Sequence, residues 1–290
     1  MLLLCAGAWA VVGGTPAEGD GPEVGIASDG ALVCTGTVVH AEWVLTAAHC
    51  VGDGALAAWW GTDLGAGPGA AVDVDEVRID PDWPGGDDHA HDVALLHLAS
   101  PAPGPVAGLA AERPAVGDVL RVRGYGATRD GGGDGGLLRE ALLDVQDVDD
   151  ERIRTFTAGR NLCSGDSGAP LSWPGTSPPL LVGVGAGVDP TCLGGAGVAV
   201  LLDAVWPFLV QTVPELARED RPARGTVDTA ADTAAEAASD TAADPVATPG
   251  RCGCGGGPWP AWAAVLAAGM ALTRSRRRSG GSGRPVVRQD

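Results

Sequence analysis

Short apolar runs organise the chain from residue 11 to residue 215. ALVCTGTVVH (31–40), EWVLTAA (42–48), DVALLHL (92–98), DVLRVRGYG (118–126), PLLVGVGAGV (179–188) and GVAVLL (197–202) are either apolar throughout or alternate with polar residues. Gly, Pro or Asp bounds most of them. A period of two predicts strands, because successive side chains point to opposite faces. Short strands broken by turn residues predict an all-β barrel or sandwich, and no long 3.6-residue periodicity competes with that reading. A Pro-rich connection, SPAPGPVAGLAAERP (100–114), divides the region into two similar halves.

The pattern stops near residue 216. Residues 216–250, including GTVDTAADTAAEAASDTAADPVATPG, hold almost no large apolar side chain. Such a segment buries too little surface to offset its ordering entropy, and is expected to be a disordered acidic linker. Residues 251–279 change character again. Cys252 and Cys254 precede an apolar stretch from Trp259 to Leu272, and Arg274, Arg276, Arg277 and Arg278 follow it. As a helix the stretch reaches roughly 21 Å, short of a hydrocarbon core of about 30 Å. The three-part arrangement resembles the myxobacterial C-terminal sorting signal (the MYXO-CTERM type). That resemblance implies a short hydrophobic C-terminal helix, processing at Cys252 or Cys254 by a sorting protease, and display at the membrane or cell surface; an ordinary tail anchor is the alternative. Residues 280–290 form a tail. At the other end, residues 1–10 (MLLLCAGAWA) finish in an Ala8-Trp9-Ala10 triplet that fits a signal-peptidase site. Export is expected, against the alternative of a buried first strand.

Charge narrows the partners. The formal net charge is −18 and every basic residue is arginine, which argues against nucleic acid. In an exported chain the four cysteines of the strand-rich region, Cys34, Cys50, Cys163 and Cys192, read as disulfides with three possible pairings.

One segment in the second half calls for a chemical explanation. NLCSGDSGAP (161–170) sets Ser167 between an aspartate and a glycine. Alone it could be a Gly-rich turn. Nucleophilic serine needs a base beside it and a carboxylate orienting that base. His49, in VLTAAHC, and Asp92, in HDVALLHL, supply those residue types ahead of it in the chain.

With those residues in place the chain resembles the trypsin/chymotrypsin family of serine proteases. The resemblance is carried by VVGG (11–14), TAAHC (46–50), HDVALL (91–96), GYGAT (124–128) and GDSGAP (165–170), and more loosely by LVGVGAGVDPTC (181–192). It covers about residues 11 to 212. It implies two packed antiparallel β-barrels and a peptidase acting on peptide or protein substrates as a monomer, with no metal or organic cofactor. It implies Ser167 as nucleophile, His49 as base and Asp92 as its orienting acid, with the N–H groups of Gly165 and Ser167 as oxyanion hole. It also implies bridges Cys34–Cys50 and Cys163–Cys192, and an ion pair between a new N-terminus at Val11 and Asp166. Three positions depart from the family pattern. Asn161 stands at the expected base of the specificity pocket, where trypsin-like members carry aspartate. Val188 replaces a wall glycine, and Ala186 replaces a serine that usually supports the catalytic aspartate. An uncharged pocket suited to small side chains is therefore expected. A catalytically inactive binding module of the same fold is the alternative.

Overall fold

A computed structural model describes residues 11–86 and 88–222 and the backbone of 286–287. Cys252 and Cys254, expected above to belong to a sorting signal, the apolar stretch after them and residues 1–10 lie outside the described residues.

A two-residue strand, β1 (Thr15–Pro16), leads into six strands of the first half: β2 (Glu23–Ser28), β3 (Ala31–His40), β4 (Trp43–Thr46), β5 (Leu56–Trp60), β6 (Ala70–Ile79) and β7 (Ala94–Leu98). They pair antiparallel in the order β6-β5-β2-β3-β4-β7, and β7 pairs back onto β6. The sheet thus closes into a six-stranded barrel. Strand β5 shows the reason in miniature: Leu56, Ala58 and Trp60 are buried while Ala57 and Trp59 are only partly so, and that alternation gives the sheet one apolar face to roll around.

The second half repeats the plan. Strands β8 (Gly108–Ala110), β9 (Val119–Gly124), β10 (Arg139–Val148), β11 (Arg152–Thr155), β12 (Pro170–Ser172), β13 (Leu180–Asp189) and β14 (Ala196–Leu201) follow in sequence. Six of them close in the order β9-β10-β11-β14-β13-β12, with β12 returning to β9. Strand β8 lies outside the ring and runs parallel to β13. Closure removes sheet edges, which suits a chain with so many exposed turns.

Each barrel has its own apolar filling, Ile26, Val38, Val44 and Leu96 in the first and Leu120, Val122, Leu143 and Leu171 in the second. A third cluster joins them. Leu45, Val93 and Leu95 of the first barrel meet Leu181, Val184 and Val200 of the second, capped by α1 (Leu202–Thr212) through Val205 and Leu209. The sequence pattern did not reveal α1, because the helix is short and carries Pro207, which ordinarily breaks one.

The ordered part also runs past the expected end at residue 215. Leu216 packs on the joining cluster, and β15 (Arg218–Glu219) pairs with β8. Arg218 bonds Asp203 at 2.6 Å and lies 4.4 Å from the Trp206 ring centre; Arg221 lies 4.2 Å from that of Trp173. The acidic linker therefore does not begin at 216. What holds 216–222 is backbone pairing and Arg–Trp stacking, which a count of large apolar residues overlooks. A last short strand, β16 (Val286–Val287), pairs in parallel with β6.

Candidate active site

Ser167 lies on the loop entering β12, and both barrels hold that loop. From the first, the Thr35 N–H of β3 donates to the Ser167 carbonyl at 2.9 Å, and the Thr35 hydroxyl donates to the Gly165 carbonyl at 2.8 Å. From the second, the Gly185 carbonyl of β13 accepts the Gly168 N–H at 2.6 Å. The flanking glycines are required by space and torsion. Gly165 and Gly168 have φ of 95° and 83°, and a Cβ on Gly168 would overlap the Thr35 carbonyl and the Thr46 hydroxyl.

His49 sits in a single 3₁₀ turn, Ala48–Cys50, directly after β4. Asp92 precedes β7 and is wholly buried. Its two oxygens face the histidine twice: Oδ1 accepts the His49 N–H at 2.9 Å and Oδ2 lies 2.6 Å from Nδ1. Burial alone would raise the Asp92 carboxyl, but the hydrogen bonds from the His49 side chain and backbone, the neighbouring His89 imidazole and attraction to His49 hold it down at about 2. It is therefore ionised at any ordinary working pH. The residue before it, His91, takes a left-handed backbone (φ 56°) and bonds the buried Asp80 at 2.9 Å. That pair anchors the turn from which Asp92 projects. The disulfide Cys34–Cys50 fixes the other end of the histidine turn to β3. His49, Ser164, Gly165 and Ser167 line one open cleft of ≈ 480 Å³ along with this disulfide.

Beneath the serine loop, Asp166 is enclosed completely. It accepts the Gly126 N–H at 2.8 Å and the Cys163 N–H at 2.9 Å, and among the described residues no cation pairs with it. Burial pushes its carboxyl up to about 7 despite those two N–H groups. Val11 is buried in the filling of the second barrel, and Val12 bridges antiparallel to Asn161. The N-terminal segment thus enters the same region as the carboxylate.

Asn161 is buried and committed: its Nδ2 donates to the Gly195 carbonyl at 2.9 Å and its Oδ1 accepts the Leu162 N–H. Val188 is half-buried against Val12, Ala127 and the Cys163–Cys192 bridge, while Asp189 faces solvent. Both expected disulfides are present. One residue at the site went unread in the sequence. His89 stands three positions before Asp92 with Nδ1 3.8 Å from its Oδ2. The signal for it in the sequence is the His89-Ala90-His91-Asp92 run, in which only the two residues nearest the strand belong to the HDVALL motif.

Among the described residues, neither the histidine–carboxylate cluster nor the histidine–cysteine one offers a ready metal centre. Asp80, Asp82 and His91 bring ligand atoms within 4.8 Å, but the His91–Asp80 hydrogen bond accounts for two of them. The sulfurs beside His49 are joined in a disulfide.

Two closed six-stranded barrels with a serine loop, a histidine turn and a buried aspartate at their junction define the chymotrypsin-like serine protease fold. The Trypsin family profile matches residues 11–207, and the chain belongs to that family. It is 29% identical over 169 residues to Trypsin zeta of Drosophila melanogaster, covering 48% of this chain and 60% of that protein. It is 32% identical over 187 residues to Serine protease SP24D of Anopheles gambiae, covering 55% of this chain and 66% of that one. The chain therefore spans less than two thirds of the length of these relatives. Among solved structures, neuropsin, a serine protease expressed in the limbic system of mouse brain, superposes with a TM-score of 0.62 at 22% identity, over 69% of this chain and 98% of that one. Among the described residues no helix is long and apolar enough to cross a membrane.

Proposed function

We propose that this chain is an exported serine endopeptidase, attached at the cell surface through its C-terminal segment, that cleaves peptide bonds through an acyl-enzyme. The observation that carries the activity is the doubly bonded His49–Asp92 pair opening onto the same cleft as Ser167. Ser167 Oγ attacks the acyl carbon, and His49 takes its proton and returns one to the leaving amine. Asp92, ionised and buried, holds Nδ1–H in place, so Nε2 is the nitrogen left to act as base. The N–H groups of Gly165 and Ser167 receive the oxyanion, a contribution of about 10²–10³ in rate per donor in comparable sites.

The serine loop is completed by a new N-terminus. Asp166 is a buried carboxylate lacking a cation, and an α-ammonium on Val11 is the matching partner. Val11 has φ of 45°, costly for a β-branched residue. Cleavage after Ala10 abolishes that torsion and creates the ammonium in one step. The enzyme would then be active as soon as its leader is removed.

For specificity, the uncharged Asn161, already bonded to Gly195, and the half-buried Val188 favour small or medium uncharged side chains before the scissile bond. A guanidinium buried there would lack a counter-charge. Export is supported by the two disulfides and by the Ala8-Trp9-Ala10 triplet, and anchoring by Cys252, Cys254 and the arginines that follow.

Fluorophosphonate labelling of the wild type beside Ser167→Ala tests the activity. Labelling of the wild type alone is expected; absence of labelling in mature protein starting at Val11 would favour an inactive binding module. A peptide panel varied only before the scissile bond tests the pocket, and preferential cleavage after arginine would overturn that assignment.

A further inference from the structure

Asp92 Oδ2 takes the His49 Nδ1 at 2.6 Å, and a second imidazole faces the same oxygen. The His89 Nδ1 is buried, 3.8 Å from Asp92 Oδ2, and makes no hydrogen bond. Its ring is backed by Gly187 of β13, where a Cβ would stand 2.7 Å from His89 Cε1 and 2.8 Å from Nε2. The register of β13 against β14 slips between Gly185 and Gly187, which turns this part of the strand toward the loop. Ala186, in the slip itself, is buried and carries no polar side-chain atom. A carboxylate oxygen has two lone pairs, and a buried donor without a partner is costly. The ring is a quarter exposed, and its Nδ1 stands less than about 1 Å beyond hydrogen-bond reach of the carboxylate.

We propose that His89 is a positioning residue for the reaction, donating Nδ1–H to Asp92 Oδ2 beside His49 and so fixing the carboxylate that orients the base. This inference rests on the hydrolase reading above. It places two imidazoles on one carboxylate oxygen. Among the described residues, charged groups flanking this loop make contacts of their own. Asp88 lies 3.5 Å from Arg152 of β11, Arg152 also lies 3.3 Å from Glu151, and Asp80 is bonded to His91. Gly187, on the strand packed against the ring, carries no charge. His49 is thus the group that His89 reaches through Asp92.

The test compares wild type, His89→Leu and His89→Asn, with Ser167→Ala as background for NMR. Asn keeps an N–H close to the position of Nδ1 but does not titrate. His89→Leu is expected to lower kcat about tenfold with little change in KM, and His89→Asn to recover to within about threefold of wild type. The acid limb of the kcat/KM profile is expected to be broader than a one-proton curve in wild type and to become a one-proton curve in His89→Asn. In Ser167→Ala, the His49 ring resonances are expected to show the same change when His89→Asn is added. A rise in KM with kcat untouched, or equal damage in both variants with an unchanged acid limb, would overturn the proposal. Failure of the wild type to label with fluorophosphonate would sink the hydrolase reading instead, and the NMR titration would still decide whether His89 and His49 share Asp92.

Discussion

Asp166 receives the backbone N–H of Gly126 at 2.8 Å, in a space that only glycine leaves open: a methyl group at 126 would overlap the carboxyl group itself. The two residues belong to different motifs, GYGAT and GDSGAP. Their contact locks the serine loop to the end of β9 around a carboxylate that burial raises to about 7.

That relationship fixes a pH dependence. In the chain still carrying residues 1–10, the native state holds the Asp166 proton more tightly than the unfolded state. This group's contribution to stability is therefore fully present below its unfolded value of 3.8 and is lost as pH rises through about 7. The slope in that window approaches about 1.4 kcal/mol per pH unit for one proton. Pairing with a Val11 α-ammonium favours the ionised form, so the carboxyl then titrates below this window and the loss disappears from it. Urea unfolding of Ser167→Ala should show stability falling between pH 5 and 8 in the chain carrying residues 1–10, and a much flatter dependence in the chain starting at Val11. Asp166→Asn should remove the fall from the longer chain.

Asp92→Asn should lower kcat by about 10⁴ at neutral pH without unfolding the protein. The amide leaves the fold intact but stabilises no imidazolium and permits the wrong tautomer. Because the Asp92 carboxyl is held at about 2, Asp92 should stay ionised throughout the wild-type profile. Steady-state kinetics from pH 4 to 9 checks both statements.

Gly168→Ala should be among the most damaging single substitutions. It forces a side chain into φ of 83° and onto the Thr35 carbonyl. A cost of about 1–3 kcal/mol in stability is expected from overpacking, with greater loss in labelling rate because Ser167 moves with its neighbour. Circular dichroism melts beside fluorophosphonate labelling would separate the two effects.

Truncation after residue 215 should lower stability relative to truncation after residue 222. The shorter chain loses the β15–β8 pairing, the Arg218–Asp203 bond and two Arg–Trp stacks. Partly exposed contacts of this kind contribute about 0.5–1 kcal/mol each. Chemical denaturation of the two truncated forms measures the difference.

The barrels were legible because strand alternation and turn residues are local signals, and the serine, histidine and aspartate because each stands in a distinctive local setting. What escaped the sequence depends on contacts between distant segments. Helix α1 is stabilised by Val205 and Leu209 against strands of both barrels, which overrides Pro207. Residues 216–222 are held by tryptophans at 173 and 206. The place of His89 depends on a missing side chain at Gly187, nearly a hundred positions away, and no local pattern announces such a vacancy.

The hydrogen bonds from Thr35 to Ser167 and from Gly168 to Gly185 also order events in time. A chain threaded or synthesised from its N-terminus can complete the first barrel, with His49, Asp92 and the Cys34–Cys50 bridge, before residue 167 has emerged. On the proposed mechanism that half would hold a base and its orienting acid but no nucleophile. The serine loop acquires its shape only when β13 arrives to accept the Gly168 N–H, and by then almost the whole second barrel has been delivered. On the same reading, a chain released before those strands form would lack the capacity to cut.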